Sequence, residues 1–295
     1  MTAEPGRALV ATGAELGARL DAARAAGAVV GFVPTMGALH AGHLALMARA
    51  RAETDLVAVS IFVNPLQFGA GEDLDAYPRN LDADLAACAK VGVDVVFAPA
   101  GAEMWPRPPA VRLGAGPFGA VLEGAHRPGH MDGVATVVAK LLHLAGPCRA
   151  YFGRKDGQQL ALVRRMVADL AFAAEIVACD TVREPDGLAL SSRNAYLDAA
   201  QRAVAPTLYR ALAAGRAAWL ADPGASPAAI EAAAAAVLAG APAMAVDYVS
   251  LVDPDSFEPA GPAGAAAGQV LAGAVRLGTT RLIDNVVLEG RRDPG

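Results

Sequence analysis

The sequence predicts an α/β protein, a doubly wound parallel sheet followed by a smaller α+β domain. Three observations carry that expectation. Short β-branched runs recur over roughly the first 180 residues and are apolar at every position instead of alternating, as strands buried on both faces are. Amphipathic stretches of helical length separate them, which is the βαβ rhythm of a parallel sheet. After Val182 the pattern changes to Ala-rich helices and then three strand-like runs. The reading is a Rossmann-like domain over 1–182 and a second domain over 183–295.

The strands of the first domain are read at Ala28–Pro34, Leu56–Asn64, Val93–Ala98, Arg149–Gly153 and Glu175–Val182. Helices fall between and after them at Ala38–Glu53, Leu74–Val91, Gly133–Leu144 and Asp156–Leu170. The loop REPDGLALSSRNAYLD leads into helices near Ala199–Ala221 and Pro227–Ala239, and strands follow at Ala245–Val252, Gln269–Arg276 and Arg281–Leu288. The Gly/Pro/Ala run at 259–268 reads as a mobile loop. In open sheets of this kind ligands bind beyond the carboxyl ends of the strands, so the residues after each strand matter most.

Composition narrows the function. A chain of 295 residues, 54% hydrophobic, has ample core. The formal charge of −5 argues against a general nucleic-acid or anionic-membrane surface, because a phosphate backbone needs a basic face. Cys88, Cys148 and Cys179 lie far apart, which fits free buried thiols in a reducing cytosol. The N-terminus has no basic patch followed by an apolar run, so no signal peptide is expected. Residues 25–48 carry no formal charge apart from their histidines, yet Gly31, Pro34, Gly37, His40, Gly42 and His43 would be costly in lipid. A soluble cytosolic protein is the expectation.

Four segments carry candidate chemistry. Gly37 permits a sharp turn after the first strand, and His40 and His43 fall on one face of the next helix's first turn. A helix N-terminus suits phosphate, and two imidazoles add donors; an ordinary histidine pair or half a metal site remains open. After the second strand, Asn64, Gln67, Tyr77 and Arg79 place polar groups where the sheet edge opens, unless this is a plain loop. In AYFGRKDGQQ, Lys155, Asp156 and Gln159 begin a helix. Asp156 is read as an N-cap, whereas a lysine at a helix start is disfavoured unless an anion is near. It is also one of three lysines among 25 basic residues. Ser191, Ser192 and Arg193 form either a polyphosphate clamp or an N-capped loop with an exposed Arg. His130, in a polar Gly/Pro loop, is placed to border a pocket, while His143 reads as an ordinary helix residue. No GxSxG, GxxxxGK[ST] or HExxH motif occurs.

Taken together, PTMGALHAGH, SIFVNPLQF, GEDLDAYPR, LEGAHRPGH, FGRKDGQQL and DGLALSSRN resemble, in order, the motif series of the pantothenate synthetase (pantoate–β-alanine ligase) family. The likeness ends with RLGTTRLIDN at 276–285 and covers nearly the whole chain. HAGH is similar to the HIGH signature of class I nucleotidyl transferases, and LSSRN stands where those enzymes have KMSKS. The resemblance implies a two-step reaction. Pantoate's carboxylate attacks the α-phosphorus of ATP to give pantoyl adenylate and pyrophosphate, and the amine of β-alanine then displaces AMP to give pantothenate. It further implies that His40 and His43 hold the ATP phosphates, Lys155 follows the α-phosphoryl group, and Ser191, Ser192 and Arg193 close on the β- and γ-phosphates. By the same likeness Gly153 and Asp156 hold the ribose, Val182 the adenine, Gln67 and Gln159 the hydroxyls of pantoate, with Met36 and Asn64 lining its pocket. Met36 counts with the ATP-contacting residues as well. The resemblance also implies Mg²⁺ bridging the ATP phosphates with no direct protein ligand, a homodimer, and a small domain that acts as a lid.

Three positions depart from the family pattern. Arg154 stands where Glu is usual, Gly157 where a large, often aromatic residue is usual, and Met131 where Phe is commoner. Arg154 repels Lys155 by about 1–4 kcal/mol before relaxation and screening, and Gly157 loosens its helix turn by about 1 kcal/mol. Two other readings stay open at this level. One is a related HxxH adenylyl transferase for another hydroxy acid; the other is a nucleotide-binding regulatory homologue with impaired turnover.

Overall fold

The computed structural model describes residues 8–261 and 265–289. The chain forms two compact units. The first runs to Gly153 and resumes over Leu162–Asp180; the second takes Arg154–Ala161 and the chain from Thr181 onward. The sequence reading kept 154–161 in the first domain, but these residues pack with the second unit, for reasons given with the site.

The first unit contains, in chain order, β1 (Ala8–Val10), α1 (Gly13–Ala25), β2 (Val30–Thr35), α2 (Ala41–Glu53), β3 (Leu56–Ile61), α3 (Leu81–Lys90), β4 (Val95–Phe97), the short helices α4 (Gly101–Met104) and α5 (Leu122–His126), α6 (His130–Ala145), β5 (Cys148–Gly153), the later part of α7 (Gly157–Asp169), and β6 (Ala174–Cys179). The six strands form one parallel sheet in the order β1-β4-β3-β2-β5-β6. Setting β1 aside, the order is that of a doubly wound sheet, reversing between β2 and β5. Val30, Phe32, Val33, Val57, Ala58, Val59, Val95, Val96 and Phe97 are all buried, which is why these runs are apolar without alternation.

Element boundaries move for local reasons. The helix expected from Ala38 starts at Ala41, because Gly37 and Ala38 take φ values of +79° and +50°, which no right-handed helix contains. The helix expected from Leu74 starts at Leu81, with Asn80 accepting from the Ala83 N–H as its cap. The residues before it form a turn in which the Arg79 guanidinium donates to the carbonyls of Leu74, Asp75 and Tyr77. Arg79 and the buried Tyr77, edge-on to Phe68, thus act within this loop. The strand expected to reach Asn64 ends at Ile61, since Asn64 caps a 3₁₀ turn over Pro65–Gln67. α6 begins at His130, three residues earlier than read. β1 and α1 went unread: β1 has three residues, and the alanines of α1 dilute the stripe made by the buried Leu16 and Leu20.

The second unit contains α8 (Ala199–Val204), α9 (Thr207–Ala221), α10 (Pro227–Ala239), β7 (Met244–Val252), β8 (Val270–Leu277) and β9 (Thr280–Val287). The single helix expected over 199–221 is two, parted at Ala205–Pro206, where proline cannot continue the backbone ladder. The strands form an antiparallel sheet in the order β7-β8-β9. α9 and α10 cover it through Leu208, Leu212, Trp219, Ile230, Ala234 and Leu238 against Leu251, Leu271 and Val275. Each large side chain so buried contributes about 1.5–3 kcal/mol. Of the loop read at 259–268, residues 262–264 lie outside the described residues. Cys88 and Cys179 are buried free thiols, and Cys148 is only partly buried. No described helix is long and apolar enough to cross a membrane.

Candidate active site

β2 ends at the switch point and the chain turns through Met36–Leu39 into α2. The left-handed Gly37–Ala38 step is held by Asp84 of α3. This buried carboxylate accepts from the Ala38 N–H at 3.1 Å and from the Leu39 N–H at 2.8 Å. The turn sets His40 as the N-cap of α2, one position outside the helix, with His43 at its third residue. The two rings cap reciprocally. His40 Nδ1 accepts from the Gly42 N–H at 3.1 Å and His43 Nδ1 from the His40 N–H at 3.3 Å, with ring centroids 4.1 Å apart. A neutral imidazole that accepts at Nδ1 carries its proton at Nε2. The hydrogen bonds accepted at Nδ1 therefore leave the ring proton of each histidine on Nε2, at the positive end of α2.

After β3, the buried Asn64 is saturated by protein. Its Oδ1 accepts from Leu66 N–H and Trp105 Nε1–H (3.3 and 3.2 Å), and its Nδ2 donates to Gln67 Oε1 and Gly133 O (3.1 Å each). With its oxygen so engaged, the Gln67 amide is oriented, and its Nε2 donates to the Met36 sulfur at 3.3 Å. Met36, Asn64 and Gln67 thus form one cluster. Gly133 permits it: a Cβ there would lie 2.2 Å from the Leu66 carbonyl oxygen. Trp105 was not singled out by sequence. It sits under Lys140, whose Nζ lies 4.8 Å from the ring centroid, in a stretch without a motif.

Beside this cluster, His130 donates from Nδ1 to the Gln67 carbonyl at 2.8 Å and accepts at Nε2 from Arg127 at 2.9 Å. Burial, with the Arg127 charge, holds His130 down at about 4, so the ring is neutral at pH 7. Arg127 is forked onto Glu72 at 2.6 and 2.7 Å. Burial alone would raise the Glu72 carboxyl, but the hydrogen bonds and charge of Arg127 outweigh it and hold the group at about 2. His126 and His143 are exposed.

In the second unit, Arg154–Asp156 form a 3₁₀ turn, so Asp156 lies within that turn, ahead of α7. Lys155 Nζ donates to Asp156 Oδ1 at 3.4 Å, Gln159 lies half-buried in the first turn of α7, and Gly153 ends β5 just before. Val182 and Leu190 pair backbone to backbone and Arg183 bridges Ala189, so residues 182–190 form a small hairpin that delivers Ser191. Ser191 caps the next 3₁₀ turn, its Oγ accepting from the Arg193 N–H at 3.3 Å, and Ser192 and Arg193 are half-buried within that turn. Two features explain why 154–161 pack here. Asn285 of β9 donates to the carbonyls of Arg154 and Lys155, and the Phe257 ring lies against Gly157, where an added Cβ would be 2.9 Å from its Cζ. The Phe257 ring thus fills the space beside Gly157.

A parallel sheet whose switch-point strands lead into a histidine-capped helix start and a lysine turn is the architecture of a nucleotide-using α/β enzyme. Comparison with known proteins gives the family. The model of the family described as pantoate-beta-alanine ligase matches residues 8–287. A pantothenate synthetase of Frankia alni is 59% identical over 258 residues, 87% of this chain and 82% of that protein. One from Acidothermus cellulolyticus is 57% identical over 270 residues, 90% of this chain and 88% of that one. Among solved structures, a pantothenate synthetase from Thermus thermophilus superposes with a TM-score of 0.89 at 50% identity, covering 96% of this chain and all (100%) of that one. A pantoate-beta-alanine ligase from Francisella tularensis, complexed with beta-gamma ATP and beta-alanine, gives a TM-score of 0.79 at 31% identity over 97% and 99% of the two chains. The chain belongs to the pantoate-beta-alanine ligase family. It carries out that family's ATP-dependent condensation of pantoate with β-alanine to pantothenate.

Proposed function

We propose that this chain forms pantothenate through a pantoyl adenylate, with its residues placing two reactants and spreading charge while supplying no nucleophile of their own. The observation that carries the reading is the reciprocal Nδ1 capping of His40 and His43. It puts the ring proton of each histidine on Nε2 at a helix start, the kind of donor that phosphate oxygens accept. Gln67, oriented by Asn64 beside Met36, and Gln159 hold the hydroxyls of pantoate. Its carboxylate is thereby aimed at the α-phosphorus, and alignment of this kind supplies much of the acceleration of a two-substrate step. Lys155 follows the α-phosphoryl group as its negative charge grows. Ser191, Ser192 and Arg193 bind the departing pyrophosphate, Asp156 and the Gly153 backbone take the ribose, and the Val182 backbone takes the adenine.

Bound together with ATP, Mg²⁺ would supply positive charge to the phosphates. The donors at 155 and 191–193 are cations and hydroxyls, which suit an ion already coordinated by phosphates. The working form is a cytosolic homodimer whose smaller unit acts as a lid, a reading supported by the family resemblance.

The test is pyrophosphate release with ATP, Mg²⁺ and pantoate, with and without β-alanine. Release requires pantoate but not β-alanine, and pantothenate appears once β-alanine is added. Lys155→Ala lowers release by about 10²–10³ with folding intact. Release without pantoate, or near-normal turnover of that variant, would overturn the reading.

A further inference from the structure

The segment RLIDN at 281–285 closes the family resemblance but has no part in the roles assigned so far. Asn285 is buried in β9, and its carboxamide has two N–H donors to give. Both are committed to the turn that carries Lys155: one reaches the Arg154 carbonyl at 2.8 Å and the other the Lys155 carbonyl at 2.9 Å. Those carbonyls belong to the two peptide planes on either side of the Lys155 Cα. Holding both planes from one atom sets the direction in which the lysine side chain leaves the backbone.

Asn285 is itself held. Its backbone N–H donates to Asp284 Oδ1 at 2.8 Å, and its carbonyl accepts from Arg183 Nη2 at 3.3 Å. Asp284 is buried and takes Arg183 in a fork at 2.5 and 2.9 Å. Arg183 also donates to the Gly187 carbonyl at 3.2 Å and lies 4.0 Å from the centroid of the Tyr209 ring. Arg183 opens the hairpin that delivers Ser191, so one pair of adjacent residues on β9 meets both phosphate-directed segments of this unit.

We propose that Asn285 is a positioning residue for Lys155, and that the Asp284–Arg183 pair fixes Asn285 together with the 182–190 hairpin. This rests on the role given to Lys155 above. A shift of about 1 Å in a reacting group costs on the order of a hundredfold in rate, whereas nucleotide affinity is spread over many contacts.

The experiment is a double-mutant comparison on the full chain, reading pyrophosphate release with pantoate and ATP alongside thermal unfolding. Asn285→Ala lowers kcat by about ten- to a hundredfold and moves the KM for ATP by less than about threefold. In a Lys155→Ala background the same change alters kcat by less than about twofold, because a lysine that is gone cannot be misplaced. Asn285→Ser, run in parallel, keeps the comparison intact should the alanine variant fail to fold. A folded Asn285 variant with wild-type kcat overturns the proposal. So does a loss of equal size in both backgrounds, which marks a general structural defect. Normal release by Lys155→Ala alone strikes the role of Lys155 itself, and the proposal falls with it.

Discussion

Gly157→Ala tests whether the packing of the Lys155 turn has been read correctly. On local grounds alone the change is favourable, since alanine at a helix position is worth about 1 kcal/mol over glycine. The surroundings say otherwise. The new Cβ would stand 2.9 Å from Phe257 Cζ, 3.3 Å from Phe257 Cε2 and 3.1 Å from Asn285 Nδ2. Phe257 is buried, so its ring has little room to retreat. Asn285 is pinned by both of its donors. Overpacking of this kind costs about 1–3 kcal/mol, leaving a net loss of about 1 kcal/mol after the propensity gain. Urea melts of Gly157→Ala, Phe257→Leu and the pair measure it. The single alanine variant is less stable than wild type and turns over more slowly, while in the Phe257→Leu background the alanine becomes neutral or stabilising. If Gly157→Ala by itself gained the full propensity increment with unchanged kcat, the proposed packing of Phe257 on this turn would be wrong.

Three further outcomes follow from the site. Asp84→Ala leaves the Ala38 and Leu39 N–H groups without their carboxylate, costing about 3 kcal/mol in a denaturant melt and lowering kcat by releasing the turn before His40, with Asp84→Asn intermediate. Trp105→Phe keeps an aromatic ring, though a smaller one, and removes the donor to Asn64 Oδ1, so the KM for pantoate rises by about fivefold while that for ATP stays put; equal movement of both would refute the role. His130, at about 4 when folded against an ordinary 6.5, binds its proton more readily in the unfolded chain, so stability is complete above pH 6.5 and declines as pH falls toward 4. The loss reaches about 2 kcal/mol at pH 5, and His130→Gln flattens the pH dependence of unfolding between 6.5 and 5.

Several parts of the site were legible because they are encoded locally. Gly37 before HxxH signals a turn into a helix start, and Lys155 stands out in a chain that otherwise uses arginine. Asn64 before proline starts a turn, as that pair commonly does, although the strand read up to Asn64 stops at Ile61. The reading went astray where a distant group overrides local pattern. Gly157 looks like lost packing until Phe257 is found against it, and the helix apparent from Ala38 is cut short by a turn that Asp84 holds from α3.

Local sequence was enough for the order of the longer elements from β2 onward, the change of pattern after Val182 and the segments that carry chemistry, because strand burial, helix periodicity and turn preferences act over a few neighbouring residues. Only the tertiary structure decided which tautomer the two histidines adopt, which way the Gln67 amide faces, and how the turn of Lys155 is held. Those outcomes depend on single donors and acceptors that meet across 41 residues for Trp105 and Asn64, 45 for Asp84 and Leu39, and 130 for Asn285 and Lys155. A hydrogen bond is decided within a few tenths of an ångström, and no spacing in a linear chain specifies that distance until the core has closed.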